Sequence, residues 1–156
     1  MRAAIVLSVF SGALGQQVGL NKPEIHPPLP IQSCSAAGSC ILESTSVVLD
    51  ANWRWTHEAA GYTNCYTGNN WNSTICSDPK TCAIQCALEG ADYPGTYGIR
   101  ASDFTLELGF KVGNNVGSRT YLLENESSYK IFMLKNREFV VDVDVSNLPC
   151  GINGAL

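Results

Sequence analysis

The chain has 156 residues with a formal net charge of -4, and only 15% of its residues are charged. It holds no basic cluster able to neutralise a phosphate backbone, which argues against nucleic acid as a partner, and after the first few residues no apolar run is long enough to cross a bilayer. Three Trp, six Tyr and five Phe among many uncharged polar residues suit a neutral ligand.

In chain order, Met1-Arg2 precedes an apolar run at residues 3–10 and small residues at Ala13 and Gly15. Basic start, short apolar stretch and small residues predict a secretory signal over residues 1–15, cleaved before Gln16, and an extracellular mature chain from 16 to 156. Export makes disulfides the expected state of most of the seven Cys. It also makes the sequons at Asn72 and Asn125 candidate glycosylation sites.

Residues 16–32 contain Pro23, Pro27, Pro28 and Pro30, whose fixed φ and missing amide hydrogens predict an extended segment. From Ser33 to Gly95 the apolar clusters are short, and only residues 47–49 and 53–55 read as strands. One helix is expected, capped by Ser77 or Asp78, with Pro79 in its first turn and Gly90 at its end, so that Cys82 and Cys86 share a face. Downstream the period becomes two. Residues 104–110, 119–123, 130–134 and 139–145 alternate as half-buried strands, with turns at Gly113-Asn114-Asn115, Asn125 and Asn136, and predict an antiparallel meander.

On a strand, Trp53 and Trp55 would project from one face about 7 Å apart. Flat indoles suit the apolar C–H faces of sugar rings, although core packing is the commoner use of Trp. Asp142 and Asp144 also share a strand face, at a separation compatible with a glycosidase carboxylate pair, but Val141, Val143 and Val145 occupy the alternate positions. The two Asp therefore read as the polar face of an ordinary strand. His26 and His57 are far apart and the Cys spacings lack a paired zinc pattern, so neither a metal nor another cofactor is expected.

Several phrases occur together and in order: Gln16-Gln17-Val18-Gly19, His26-Pro27-Pro28-Leu29, Val48-Leu49-Asp50-Ala51-Asn52-Trp53-Arg54-Trp55, and Thr63-Asn64-Cys65-Tyr66-Thr67-Gly68-Asn69. Gly95-Thr96-Tyr97-Gly98, Val116-Gly117-Ser118-Arg119 and Leu148-Pro149-Cys150-Gly151 follow, and Asn153-Gly154-Ala155-Leu156 ends the series. Across essentially the whole mature chain these resemble the cellulases of glycoside hydrolase family seven, the cellobiohydrolases and endoglucanases.

The resemblance implies an all-β sandwich of jelly-roll type with a substrate groove or tunnel. It implies retaining hydrolysis of β-1,4-glucosidic bonds by carboxylates in a Glu-x-Asp-x-x-Glu motif. No such motif occurs in this sequence. The chain therefore reads as the N-terminal part of a catalytic domain, without catalytic residues of its own, acting as a monomer on cellulose or another β-1,4-glucan.

The same resemblance makes Trp53 and Trp55 stacking platforms where the substrate loads. Arg119 and Asn153 become contributors near the cleavage end, and Arg54, Tyr66 and Tyr97 wall residues. It implies the bridges Cys34–Cys40, Cys65–Cys86 and Cys76–Cys82, with Cys150 left over. Some members carry one further disulfide, whose two positions are Gly19 and Ala87 here. A short segment between Phe110 and Arg119 implies an open groove, while the phrases around Trp53 and Tyr66 favour a cellobiohydrolase. A non-catalytic glucan-binding module and a disulfide-stabilised secreted interaction domain are the alternatives from other classes.

Overall fold

The computed structural model describes residues 16–36 and 38–156; the predicted signal, residues 1–15, lies outside the described residues. Its strands are β1 (Gln17–Val18), β2 (Ile31–Ala36), β3 (Ser39–Glu43), β4 (Ser46–Leu49), β5 (Thr56–Glu58), β6 (Tyr66–Thr67) and β7 (Asn70–Trp71). They continue as β8 (Cys86–Leu88), β9 (Ile99–Ser102), β10 (Thr105–Leu108), β11 (Lys111–Val112), β12 (Asn115–Val116), β13 (Thr120–Asn125) and β14 (Ser128–Tyr129). Two short helices, α1 (Pro79–Gln85) and α2 (Tyr93–Thr96), interrupt a mostly-β chain. The second of these was not expected from sequence.

The chain divides into two compact units. In the first, residues up to Pro23 combine with Arg54–Gly90. Its three-stranded sheet has the order β1-β8-β5, with β1 parallel and β5 antiparallel to β8. Its small core is Cys65, Ile75 and Cys86, with Cys76 and Cys82 packed against them, and the bridges Cys65–Cys86 and Cys76–Cys82 run through it. A core this small buries little apolar area, so covalent closure of a loop with sequence separation 21 matters, adding about 3 kcal/mol in the chain-entropy picture.

Helix α1 starts as expected, with the Asp78 carboxylate accepting the amides of Lys80 and Thr81 and Pro79 in the first turn. It does not run to Gly90. Cys86 is already extended and enters β8, where Cys86–Leu88 lies between β1 and β5; two strands' worth of ladder bonds outweigh further helix. Gly90 is needed for another reason. A Cβ there would lie 2.3 Å from the carbonyl oxygen of Pro23, while its amide donates to Lys22 O at 2.9 Å.

The second unit comprises Glu24–Trp53 and Ala91–Leu156. The hairpin β2-β3 carries the Cys34–Cys40 bridge, and a second sheet has the order β14-β13-β4. Val47 and Leu49 of β4 alternate with half-buried neighbours and pack with Ala91, Tyr93, Tyr97 and Ile99. Buried Tyr93 satisfies its hydroxyl at both ends: it donates to Glu24 Oε1 at 2.5 Å and accepts the Leu49 amide at 3.2 Å. Of the expected turns, Gly113-Asn114 forms a two-residue hairpin loop between β11 and β12 with Gly113 at φ 57. That is the left-handed geometry such loops require.

Three strand expectations fail here. Residues 53–55 are not a strand: Ala51–Trp53 forms a 3-10 turn, because Asp50 Oδ1 accepts the Asn52 amide at 2.8 Å and Asp50 O accepts the Trp53 amide. The side chain of Asp50 thus competes successfully with strand pairing, and the two indoles do not share a strand face. The runs at 130–134 and 139–145 form no ladder either: the Lys130 amide still donates to Leu122 O of β13 at 2.8 Å, but among the described residues no strand pairing continues from there. Ile131, Met133 and Val140 remain exposed. Alternation selects a face, but a strand forms only where another strand takes up its N–H and C=O groups. The turn expected at Asn136 is present, with φ 60 and the Arg137 amide donating to Leu134 O at 3.0 Å.

Gly90→Ala should lower stability by about 1–3 kcal/mol, because the clash is with backbone that cannot step aside. Gly113→Ala, where nothing lies within 4 Å, should cost only the roughly 1 kcal/mol of a left-handed residue. Thermal melts of the two variants check this; equal losses would remove the close-approach explanation of Gly90.

Candidate functional site

Within the first unit the chemistry gathers around Trp55. Its indole stacks on the His57 ring with centroids 4.1 Å apart and planes at 30°, and its Nε1–H donates to Asn64 Oδ1 at 2.8 Å. Tyr62 lies 6.2 Å from both rings, nearly parallel to each. Trp55 remains 39% exposed, whereas His57 is buried. The indole is fixed by its back and its edge and remains accessible to solvent.

His57 and Glu89 form a buried pair, Nε2 to Oε1 at 2.7 Å, with side chains 3% and 1% exposed. The carboxylate also accepts Asn21 Nδ2 at 3.0 Å and the Lys22 amide at 2.7 Å. His57 Nδ1 faces the carbonyls of Glu58 at 2.8 Å and Gly61 at 2.7 Å. Burial by itself pushes His57 down, but the bonds to Glu89 and the two carbonyls outweigh it and hold the imidazole above its ordinary value. Burial likewise pushes Glu89 up, and the bonds from His57, Lys22 and Asn21 reverse that and hold it below the usual carboxylate range. Arg54 closes the cluster, its Nε and Nη2 donating to the carbonyl of Glu89 at 2.9 and 2.6 Å. Its guanidinium therefore braces backbone at this point.

Within the second unit the corresponding group is Trp53 with Arg119. The Arg119 guanidinium carbon lies 5.5 Å from the Trp53 ring centroid, and Nε and Nη2 both reach Asp50 Oδ2 at 2.7 Å. Tyr121 donates to the same oxygen at 3.0 Å. Desolvation of Asp50 is overcome by the Asn52 amide and by Arg119, which hold its carboxyl below the ordinary value. Strand pairing explains the meeting, because Thr120 of β13 lies opposite Leu49 of β4 and the Asp50 amide donates to Arg119 O. Tyr97, expected in a wall, is instead a core residue whose hydroxyl donates to Trp53 O at 2.7 Å.

The remaining candidates are dispersed. Tyr66 packs tilted against Trp71 across the β6-β7 hairpin, centroids 4.8 Å apart and planes at 54°, and Trp71 is 51% exposed. Asn153 lies exposed in the irregular final residues. Asp142 and Asp144 are exposed and not on a strand, and a hydrogen bond from Ser146 holds Asp144 below its ordinary value, the wrong direction for a general acid. Sulfurs of Cys65, Cys76 and Cys86 lie within 4.8 Å of one another, but all three belong to disulfides and offer no thiolate to a metal. His26 pairs with Glu24 and Glu126. Asn125 is exposed at its turn, its Oδ1 accepting from Ser127, whereas Asn72 is half-buried.

Sequence reading missed His57, Glu89, Asn64 and Asp50. The spacing Trp55-x-His57 was the available signal for the first, since residues two apart leading into a strand share a face.

Comparison with known proteins matches residues 18–156 to the model for glycosyl hydrolase family 7. Among solved structures, a family 7 cellobiohydrolase from Daphnia pulex is 45% identical over 69% of this chain and 26% of its own length, with a TM-score of 0.62. A cellobiohydrolase from Melanocarpus albomyces complexed with cellotetraose is 47% identical over 68% of this chain and 25% of its own, TM-score 0.60. The endocellulase EGI of Humicola insolens is 27% identical over 68% and 28%, TM-score 0.57. The chain thus spans about a quarter of the length of these structures.

The His57–Glu89 pair sets a pH dependence. The raised imidazole contributes stability that is full below its ordinary value of 6.5 and lost as pH rises through the raised one. The depressed carboxylate contributes stability that is present above its ordinary value of 4.5 and lost as pH falls through the lowered one. Both operate together between those ordinary values. His57→Gln should therefore cost about 3 kcal/mol there, with the difference from wild type narrowing in alkali. Melting curves across pH check this, and a difference independent of pH would contradict it.

Proposed function

Because this chain belongs to glycosyl hydrolase family 7, we propose that it supplies the glucan-gripping part of a secreted, monomeric cellulase that hydrolyses β-1,4-glucosidic bonds with retention. The two carboxylates of that reaction come from sequence other than these 156 residues. The observation that carries this reading is the pair of tryptophans, each with a basic side chain against its ring: Arg119 over Trp53 and His57 against Trp55. Ring faces that are large, held rigid and partly exposed suit the C–H faces of glucosyl units.

In this reading Trp53 and Trp55 are the stacking platforms. Arg119 gives sugar hydroxyls the donor capacity that Asp50 leaves it. Tyr97 and Arg54 act through the backbone they hold, and Tyr66 with Trp71 offers a further aromatic surface. Asn153 is assigned a hydrogen bond to substrate near the cleavage end. Identities of 45% and 47% to cellobiohydrolases against 27% to an endocellulase support exo action. Exposure makes Asn125 the better glycosylation acceptor of the two sequons.

In an enzyme carrying this sequence at the length of its relatives, Trp55→Ala should weaken binding and degradation of long glucans while sparing turnover of a short chromogenic cellobioside. Equal loss on both substrates would count against the platform. The 156-residue chain alone should release no cellobiose or chromophore, since its sequence contains no Glu-x-Asp-x-x-Glu motif. Turnover by the purified chain would overturn the assignment and return attention to Asp142 and Asp144.

A further inference from the structure

Two features of the first unit remain without a role: a buried histidine on which the indole rests, and a carboxylate buried for no purpose that packing requires. Glu89 is 1% exposed, and Gly19 is what admits it, since a Cβ at that position would lie 2.2 Å from the Glu89 carboxyl carbon. Burying a charge is unfavourable unless it is paired and hydrogen-bonded. Here it is both, which points to what the carboxylate holds.

We propose that His57 is a positioning residue for glucan binding: locked by Glu89 and two backbone carbonyls, its ring fixes the plane of Trp55 on which a glucosyl unit stacks. This rests on the reading of Trp55 as a platform. Nδ1 faces two carbonyl oxygens, and Nε2 faces a carboxylate oxygen at 2.7 Å. Each of these atoms can only accept, so both ring nitrogens must donate and the ring is an imidazolium.

The one competing donor, Asn21 Nδ2, is 3.4 Å from Nε2 and makes its shorter bond, 3.0 Å, to Glu89 itself. Placing the proton on Glu89 instead is disfavoured by the Lys22 amide and Asn21, both donating to that carboxylate. No torsion of His57 is then free, because both ends of its ring are bonded in opposite directions.

An indole stacked at 4.1 Å on such a ring gains the attraction of a cation for its face. The bond from its Nε1 to Asn64 stops rotation within the plane. A free indole would lose rotamer freedom on binding sugar; this one has lost it already, which is preorganisation in the sense that raises affinity without adding a contact. His57 touches no substrate in this account and acts only through Trp55.

The test uses the full-length enzyme containing this segment, with cellohexaose as probe for binding and a chromogenic cellobioside for turnover. His57→Gln should raise the Kd for cellohexaose about fivefold and leave kcat on the cellobioside unchanged. In the Trp55→Ala background it should add nothing. A wild-type Kd for His57→Gln beside a weakened Trp55→Ala overturns the positioning role while sparing the platform. An unchanged Kd for Trp55→Ala overturns the platform itself and this inference with it. Should the Gln variant not fold, 15N spectra of the wild-type histidines decide: both His57 ring nitrogens should be protonated at pH 7, and its ring resonances should move when cellohexaose binds. A lone-pair nitrogen on His57, or no movement, overturns the inference.

Discussion

The buried pair of His57 and Glu89 is the constraint on which the first unit depends. Two opposite charges removed from water are tolerated only when nearly every remaining donor and acceptor is matched, and the matching groups come from three stretches of chain. Asn21 and Lys22 follow β1, His57 lies in β5 and Glu89 follows β8. Register in the sheet β1-β8-β5 is thereby fixed by electrostatics as much as by its few ladder bonds, since a slip of one residue would turn Glu89 or His57 away from its partner. Two glycines make the arrangement possible: Gly19 leaves space for the carboxylate and Gly90 lets the chain after β8 pass against Pro23.

The second unit uses related chemistry in a wetter setting. Asp50 holds Arg119 beside Trp53, with Tyr121 and the Asn52 amide satisfying the same carboxyl group. The Arg119 side chain is 54% exposed, so solvent screens this pair and its worth lies in aiming the guanidinium more than in stability. Each unit therefore offers an aromatic face with a basic side chain held in place by a carboxylate. In the proposed reading that combination suits the grip on a neutral, flat-faced polymer. Bond cleavage with retention requires one carboxyl group as acid and another as nucleophile, and the carboxylates described above are committed to cations or exposed without a partner suited to proton transfer.

How much of this the sequence disclosed can be judged from single elements. The helix start at Asp78, the hairpin at Gly113 and the alternation of β4 and β13 were legible because each is decided by neighbours within a few residues. The three local bridges followed from family resemblance, and the structure has them. Residues 53–55 were misread because a period-two pattern is blind to Asp50, whose carboxyl bond to Asn52 starts a turn. Strands at 130–134 and 139–145 were misread for a different reason, as pairing is a property of the neighbour. Glu89 was invisible because nothing local marks an acidic residue as buried; Gly19, Asn21, Lys22 and His57, all far away in sequence, make it so.

A crystal structure of the complete enzyme with cellohexaose bound, at a resolution that orients side chains, tests the central claim most directly. The account predicts a glucosyl ring on the face of Trp55 opposite His57, with His57 still between Glu89 and the carbonyls of Glu58 and Gly61. Glucan bound with Trp55 turned into protein, or with His57 swung away from Glu89, would contradict it.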